Sequence, residues 1–220
     1  MKRPELLQLL AGRLLERELP HPLRVAIDGP DAAGKTTLAG ELAEHLEGKR
    51  PVIRTGIDGF HNPRALRHRR GPNSPEGYFL DSFDYEALRT FLLDPLGPGG
   101  SRRYRRSVFD YRANRKVAAT EEEASPGAIL LFDGVFLLRP ELRTFWDFSI
   151  VVKVDFDEIV RRAEERDREL MGGVEAVRER YRKRYIPGQK IYFSQCAPQV
   201  VADVVVDNTD VSDPKLVQRL

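Results

Sequence analysis

The sequence predicts an α/β protein built as a three-layer sandwich, with a mostly parallel sheet of about five strands between two layers of helices. Short apolar runs typical of buried strands occur at residues 23–28, 51–55, 128–134, 148–155 and 202–208. The first two runs enclose a glycine loop (29–34) and a segment of helical periodicity (35–47), which together form a β–α–β unit. A chain of 220 residues that is 41% hydrophobic can bury a core of this size without disulfides or metals.

The remaining elements of the first half are predicted from apolar spacing and from residues that break helices. Leucines at helical spacing predict an amphipathic helix over 4–19 that ends before Pro20, and we divide the chain into this N-terminal helix (1–22) and one domain (23–220). Residues 56–80 have no regular pattern. A helix is expected over 84–93, capped by Asp81 or Ser82, and then a short hairpin within 102–118.

Two charged helices are predicted in the second half, on either side of a break at Gly172 and Gly173. The first helix runs from about Asp157 to Arg168, and the second covers 174–185 and ends before Pro187. Arginines of the first helix, Arg162 and Arg166 among them, could simply form a solvated face. Next to a flexible break, they could instead belong to a lid that closes over phosphates.

Composition excludes several classes of protein. Cys196 is the only cysteine, so an intrachain disulfide and a cysteine-rich zinc site are excluded, and a reducing cytoplasmic setting is expected. No apolar run is long enough for a membrane span, and the acidic, leucine-rich start does not resemble a signal peptide.

Basic residues are unevenly distributed although the net charge is only +2. Between Arg50 and Lys116 the chain has fourteen Lys or Arg and seven Asp or Glu, and 28 of its 36 basic residues are arginine. Arginine forms forked contacts with phosphate. The basic middle therefore indicates an anionic ligand, which composition alone allows to be a nucleotide or a nucleic acid.

The motif that carries the most chemistry is G-P-D-A-A-G-K-T at residues 29–36, which matches the phosphate-binding loop G-x-x-x-x-G-K-[ST] and lies between a strand and a helix. Backbone N–H groups of such a loop surround the phosphates of ATP. Lys35 should reach the β- and γ-phosphates, and the Thr36 hydroxyl should bind Mg²⁺. The residues expected to contact ATP are Gly29, Asp31, Ala32, Ala33, Gly34, Lys35, Thr36 and Thr37.

Two carboxylates follow predicted strands directly. Asp133 ends the apolar run at 128–134, where a carboxylate can bind Mg²⁺ together with Thr36. Asp58 follows the run at 51–55 and could accept the proton of a substrate hydroxyl. On its own, Asp58-Gly59 could equally be a plain turn.

The motifs at residues 23–208 resemble, in order, those of the uridine kinase and phosphoribulokinase family of P-loop kinases. The matching segments are VAIDGPDAAGKTT, IDGFH, SFDYEAL, VFDYRANR, AILLFDGVF, RRAEERD, RYIPGQ and ADVVVDN. The resemblance implies a P-loop NTPase fold with lid helices and an acceptor-side hairpin. It also implies ATP- and Mg²⁺-dependent phosphorylation of a hydroxyl on a small metabolite, with Asp58, Lys35, Arg162 and Arg166 as catalytic residues.

The acceptor side departs from the uridine kinase pattern. Tyr78 stands near the position of an Asp that holds ribose hydroxyls in uridine kinases, and Phe109 and Asn114 align with a base-reading Tyr and His. A nucleoside is the first acceptor expected, with pantothenate or a sugar phosphate as alternatives. The residues expected to line the acceptor pocket are Asp58, His61, Tyr78, Phe109, Tyr111 and Arg112.

Two other classes of function are weighed against the kinase. A nucleotide-hydrolysing switch would use the same loop without an acceptor. An RNA-binding module could use the arginines at 64–70 and those at 102–106 with their neighbouring aromatic residues, but beside a phosphate-binding loop nucleic acid is not the expected partner. The sequence leaves open whether the chain forms a homo-oligomer.

Overall fold

The computed structural model describes residues 1–219 of the chain. Its strands are β1 (Leu23–Asp28), β2 (Val52–Gly56), β3 (Arg103–Tyr104), β4 (Phe109–Asp110), β5 (Arg115–Lys116), β6 (Glu122–Glu123), β7 (Ile129–Gly134), β8 (Phe148–Lys153), β9 (Val204–Asp207) and β10 (Lys215–Arg219). Its α-helices are α1 (Arg3–Leu15), α2 (Lys35–Leu46), α3 (Arg64–Arg67), α4 (Pro75–Asp81), α5 (Tyr85–Leu88), α6 (Phe156–Arg166), α7 (Arg168–Met171), α8 (Val174–Arg180), α9 (Ile186–Cys196) and α10 (Pro198–Val201). Short 3₁₀ turns lie at Ile57–Phe60 and Arg143–Phe145, and π-helical turns lie at Arg89–Leu93 and Tyr181–Tyr185.

Six strands form the central sheet, in the order β10-β9-β8-β1-β7-β2. The five strands from β9 to β2 are parallel, which confirms the predicted fold class. The sixth strand, β10, pairs antiparallel with β9 at the edge of the sheet. The sequence interpretation missed β10 because it took the run at 202–208 as the last strand.

Helices cover both faces of the sheet. Alternate residues of one strand face opposite layers: Val25 and Ile27 join one hydrophobic cluster, and Ala26 joins the other. The first cluster includes buried leucines of α1 and α2, and the second includes Phe79 of α4 and Tyr192 of α9. The sheet is therefore the middle of three layers, and its strand ends are held rigidly from both sides.

The N-terminal helix ends earlier than predicted, at Leu15 rather than near residue 19. It packs on the sheet domain itself, since Leu6, Leu10 and Leu14 are fully buried in the same cluster as α2. The division into a helix (1–22) and a domain (23–220) remains a prediction.

The predicted helix cap lies at another residue than Asp81 or Ser82. The helix expected over 84–93 begins at Tyr85 and is capped by Asp84, whose side chain accepts a hydrogen bond from the Ala87 N–H group. Asp81 ends α4, and its carboxylate accepts from Arg69 at 2.5 Å and from Arg70 at 2.9 Å. These two ion pairs, rather than a cap, are therefore the role of Asp81.

The hairpin predicted within 102–118 is present as β4 and β5, and β3 pairs instead with β6. The second charged helix does not end where it was predicted to end. The chain continues in helical form past Pro187, because the π-helical turn at Tyr181–Tyr185 widens the helix directly before the proline ring.

Candidate active site

The site is formed where three neighbouring strands end at the same edge of the sheet. In the parallel register Asp28 of β1 pairs with Gly134 of β7, and Gly56 of β2 pairs with Asp133. The loop after β1, the end of β7 and the turn after β2 therefore meet, as expected for a ligand site in an open α/β sheet. A side chain at Gly56 could not fit, because a Cβ there would lie 2.7 Å from the Asp133 carbonyl oxygen.

The loop after β1 has the backbone of a phosphate-binding loop. Gly34 and Ala32 have φ angles of 89° and 57°, in the left-handed region. A Cβ at Gly29 would lie 2.3 Å from the Val152 carbonyl oxygen, so only glycine fits there. Helix α2 begins at Lys35 and directs its N-terminal N–H groups toward the loop, which is a favourable arrangement for phosphate.

Lys35 is buried inside this loop. Its side chain donates a hydrogen bond to the Pro30 carbonyl at 2.5 Å. Burial lowers the pKa of Lys35, while the carboxylates of Asp31, Asp28 and Asp133 raise it. The lysine is thus a cation that burial leaves poorly hydrated, and a phosphate group would stabilise its charged form.

Thr36 and Asp133 lie side by side, as predicted for a magnesium site. The Thr36 hydroxyl donates to Asp133 Oδ2 at 2.6 Å. A hydroxyl and one carboxylate are oxygen ligands that suit Mg²⁺, which usually completes its shell with substrate phosphates and water. No group of three or more acidic, histidine or cysteine side chains able to hold a metal occurs among residues 1–219. The donors therefore fit a magnesium ion that arrives with a nucleotide.

Asp58 lies in the turn after β2, two residues beyond Gly56. Its side chain is 71% exposed to solvent. Partial desolvation beside the phosphate-binding loop raises the pKa of Asp58, and the carboxylates of Asp31 and Asp133 raise it further. His61 and Lys35 act in the opposite direction. Asp58 is thus a solvent-accessible carboxylate among the charges of the phosphate-binding loop.

His61 and Tyr111 form one wall beside Asp58. The His61 ring stacks on Tyr111 with centroids 4.7 Å apart and packs on Phe83 at 4.6 Å. Burial lowers the pKa of His61, so the ring favours its neutral form more than an exposed histidine does. Arg112 lies against Tyr111, with its Nε atom 3.3 Å from the phenolic oxygen.

Three side chains on the acceptor side are buried or hydrogen-bonded within the protein and do not line an open pocket: Tyr78, Phe109 and Asn114. The Tyr78 hydroxyl donates to the Asp31 carboxylate of the phosphate-binding loop, and its ring is buried. Phe109 is 7% exposed. Asn114 accepts a hydrogen bond from the Arg64 backbone N–H at 2.7 Å. Tyr78 therefore links α4 to the loop, and the amide oxygen of Asn114 is used within the protein.

Arg162 and Arg166 of the charged helix are both engaged with neighbouring groups. Arg162 donates to Glu158 at 2.8 Å and to the carbonyl oxygens of residues 208 and 209. Arg166 forms a forked pair with Asp167 at 2.7 and 2.9 Å, and this pair raises the pKa of Arg166. Arg166 also lies close enough to Lys35 to lower the pKa of that lysine. Arg166 therefore lies within electrostatic range of the phosphate-binding loop.

Sequence reasoning missed Asn208, which directly follows β9 and supports the phosphate-binding loop. Its side chain donates to the Ala33 carbonyl at 2.9 Å and accepts from Arg3 of α1 at 3.0 Å. The motif ADVVVDN ends at this residue and was the only signal in the sequence that could have indicated it.

The arginines at 102–106 do not form an open stacking surface. Arg103 and Arg106 pair with Glu121 and Glu122, both at 2.7 Å, and Tyr104 between them is 3% exposed. Binding of single-stranded nucleic acid needs exposed aromatic rings and unpaired cations. This segment is better described as a charged ribbon.

The phosphate-binding loop, Asp133 and the parallel sheet define the protein class: the chain has the fold of the P-loop kinases. No family model matches the chain. It is 28% identical over 160 residues to uridine-cytidine kinase B of Dictyostelium discoideum, a match that covers 69% of this chain and 63% of the relative.

Two solved structures share the fold. A protein of Bacillus stearothermophilus described as a possible uridine kinase superposes with a TM-score of 0.72 at 22% identity, over 92% of this chain and 97% of that one. The D-glycerate 3-kinase of Cryptococcus neoformans superposes with a TM-score of 0.64 at 13% identity, over 96% and 99%. Together these comparisons confirm the resemblance to uridine kinase-like P-loop kinases.

Proposed function

We propose that this protein is a kinase that transfers the γ-phosphate of ATP to a hydroxyl group of a small metabolite. The observation that carries the proposal is the meeting of three chemical groups at one sheet edge. These groups are the phosphate-binding loop with Lys35, the Thr36–Asp133 pair, and the accessible carboxylate of Asp58. A hydrolase or nucleotide switch would not need an exposed carboxylate and an aromatic wall opposite the loop.

Each residue has a distinct task in the proposed reaction. The loop N–H groups and Lys35 bind the phosphates, and Thr36 and Asp133 would hold Mg²⁺, which neutralises phosphate charge when bound. Asp58 orients the acceptor hydroxyl and takes its proton. Its raised pKa makes the carboxylate a better proton acceptor than an ordinary aspartate. Arg166, beside Lys35, offsets negative charge on the transferred phosphoryl group.

The acceptor has two candidate classes. A nucleoside is supported by the name of the Dictyostelium relative, although the match covers only 63% of that relative. A sugar, a sugar phosphate or pantothenate is favoured by the departures at Tyr78, Phe109 and Asn114, which leave few free polar groups to read a base. Within residues 1–219 no helix is long and apolar enough to cross a membrane. A cytoplasmic location remains a prediction.

The Asp58→Asn substitution tests the proposal. Asparagine keeps the size and the neighbours of Asp58 but cannot take a proton, so we expect kcat to fall at least about 100-fold while ATP affinity stays within about twofold. The measurement is acceptor-dependent ADP release over a panel of nucleosides, pantothenate, glycerate and pentose phosphates. The acid limb of the wild-type pH profile should lie above 3.8, the ordinary pKa of an aspartate, because the pKa of Asp58 is raised.

A matched control is Asp157→Asn, an aspartate in the first turn of α6 on the protein surface. Its turnover should equal that of the wild type. ADP release that is independent of every acceptor, and equal in the Asp58→Asn variant, would instead identify a nucleotide hydrolase.

A further inference from the structure

Five basic side chains form a cluster near Asp58 and Tyr111, and the proposed reaction does not use them. This group, called the arginine cluster below, consists of Arg64, Arg67 and His68 from α3 and its C-terminal turn, and of Arg180 and Arg184 from the opposite helical segment. The side chains are mutually close. Arg184, Arg67, Arg180 and Arg64 all lower the pKa of His68, in addition to its burial.

No acidic side chain within residues 1–219 forms an ion pair with any member of this arginine cluster. The adjacent Arg69 and Arg70 provide the contrast, since both are neutralised by Asp81. Arg184 is only 4% exposed, and its guanidinium donates to the carbonyl oxygens of Pro72 and Ser74 at 3.2 and 3.1 Å. Carbonyl oxygens satisfy hydrogen bonds but do not cancel charge, so the cluster keeps its positive charge in a partly buried place.

Arg67 has an unused donor. Its Nε atom is buried and has no hydrogen-bond partner within the described part of the chain. Burial lowers the pKa of Arg67, and the neighbouring Arg64 lowers it further. An unpaired buried donor and uncompensated like charges are both unfavourable, and an anion would relieve both.

The arginine cluster adjoins the aromatic wall that His61 and Tyr111 form beside Asp58. Arg67 Nη2 lies 3.5 Å from the Tyr111 carbonyl oxygen, and Tyr111 stacks on His61. Asp58 in turn raises the pKa of Arg67, which places the carboxylate within electrostatic range of the cluster. A small molecule whose hydroxyl reaches Asp58 would therefore extend toward these arginines.

We propose that the acceptor carries an anionic group, a phosphate or a carboxylate, and that the arginine cluster binds it while Asp58 engages the hydroxyl. This inference rests on the proposed kinase function and narrows its substrate class. Several guanidinium groups around one point are typical of sites for a dianionic phosphate. Neutral nucleosides would leave the cluster uncompensated and are expected to be poor acceptors.

The experiment compares charged and neutral acceptors of the same carbon skeleton in pairs. The pairs are ribose 5-phosphate with ribose, uridine 5′-monophosphate with uridine, and glycerate with glycerol; the third pair separates a carboxylate from a phosphate. We expect at least one anionic member to exceed its neutral partner about 100-fold in kcat/KM. The substitutions Arg64→Gln and Arg67→Gln should lower that kcat/KM about 10- to 100-fold, mainly through KM, since one charged hydrogen bond is removed.

Arg69→Gln is the control, because Arg69 lies in the same segment but points to Asp81. It should leave the KM of the anionic acceptor unchanged. Binding of ribose 5-phosphate in the presence of a non-hydrolysable ATP analogue gives a readout that does not need turnover. Both cluster variants should weaken this binding and leave binding of the analogue intact.

The outcomes separate the two proposals. Efficient phosphorylation of neutral acceptors that is insensitive to Arg64 and Arg67 would overturn the anionic acceptor and leave the kinase standing. If no acceptor supports ADP release while the ATP analogue binds, the kinase proposal fails, and the anionic acceptor is rejected with it.

Discussion

Asp28, the last residue of β1, is a fully buried carboxylic acid directly before the phosphate-binding loop. Its side chain accepts hydrogen bonds from the Tyr192 hydroxyl and from the Gly29 N–H group, the latter at 2.8 Å. These bonds tie the first residue of the loop to α9. Burial raises the pKa of Asp28 above its ordinary value of 3.8, against the opposing effect of its hydrogen bonds and of Lys35.

A raised pKa in the folded state makes stability depend on pH in a defined direction. Between the ordinary pKa and the raised one, the folded protein binds more protons at Asp28 than the unfolded chain does, so this residue lowers stability as pH increases. Asp28→Asn should remove that contribution, and its stability relative to the wild type should therefore increase from pH 4 to pH 8. Urea denaturation at several pH values is the measurement. A stability difference that is constant with pH would contradict the raised pKa.

At the scale of elements, α1 is an integral part of the core. The sequence motifs that resemble the uridine kinase and phosphoribulokinase family begin only at residue 23, yet Leu10 of this helix is fully buried beside α2. Arg3 pairs with Glu41 of α2 and bonds to Asn208, which itself holds the Ala33 carbonyl of the phosphate-binding loop. The helix thus supports the phosphate-binding loop through Asn208.

Leu10→Ala tests this role of α1. Loss of a fully buried leucine should lower the free energy of unfolding by about 2–5 kcal/mol. Gln8→Ala on the exposed face of the same helix is the matched control and should change it by less than about 0.5 kcal/mol. Chemical denaturation measures both. Equal effects of the two substitutions would show that α1 does not pack as described.

At the scale of the whole molecule, ATP binding should stabilise the fold. A ligand at 100 times its Kd stabilises the native state by about 2.7 kcal/mol, which corresponds to an increase in Tm of about 5–11 °C for a chain of this size. We expect this shift with ATP and magnesium, and a smaller one when a chelator removes the magnesium, because Thr36 and Asp133 then lose their shared ligand.

Lys35→Ala should abolish most of this thermal shift, since Lys35 is the buried cation of the loop. Lys49→Ala removes an exposed lysine just after α2 and should leave the shift unchanged. Differential scanning fluorimetry gives both values. A full shift in the Lys35→Ala variant would mean that the nucleotide is bound elsewhere.

Local sequence alone determined the parallel strands, the phosphate-binding loop and the positions of Asp133 and Asp58 at strand ends. It could do so because strand burial, glycine spacing and strand-to-helix order are properties of short segments. The pairing of Thr36 with Asp133 followed from the rule that parallel strands end at a common edge.

Tertiary structure decided which charges are neutralised and which helices continue. Asp81, predicted as a cap, neutralises Arg69 and Arg70, and only the chain that returns at Arg180 and Arg184 completes the arginine cluster. The helix also passes Pro187 where the sequence predicted its end. These features depend on contacts between residues up to about a hundred positions apart, which no local pattern records. The free energy of a charged side chain depends on the groups that the fold places next to it. Whether a helix continues past a proline likewise depends on the backbone around that proline.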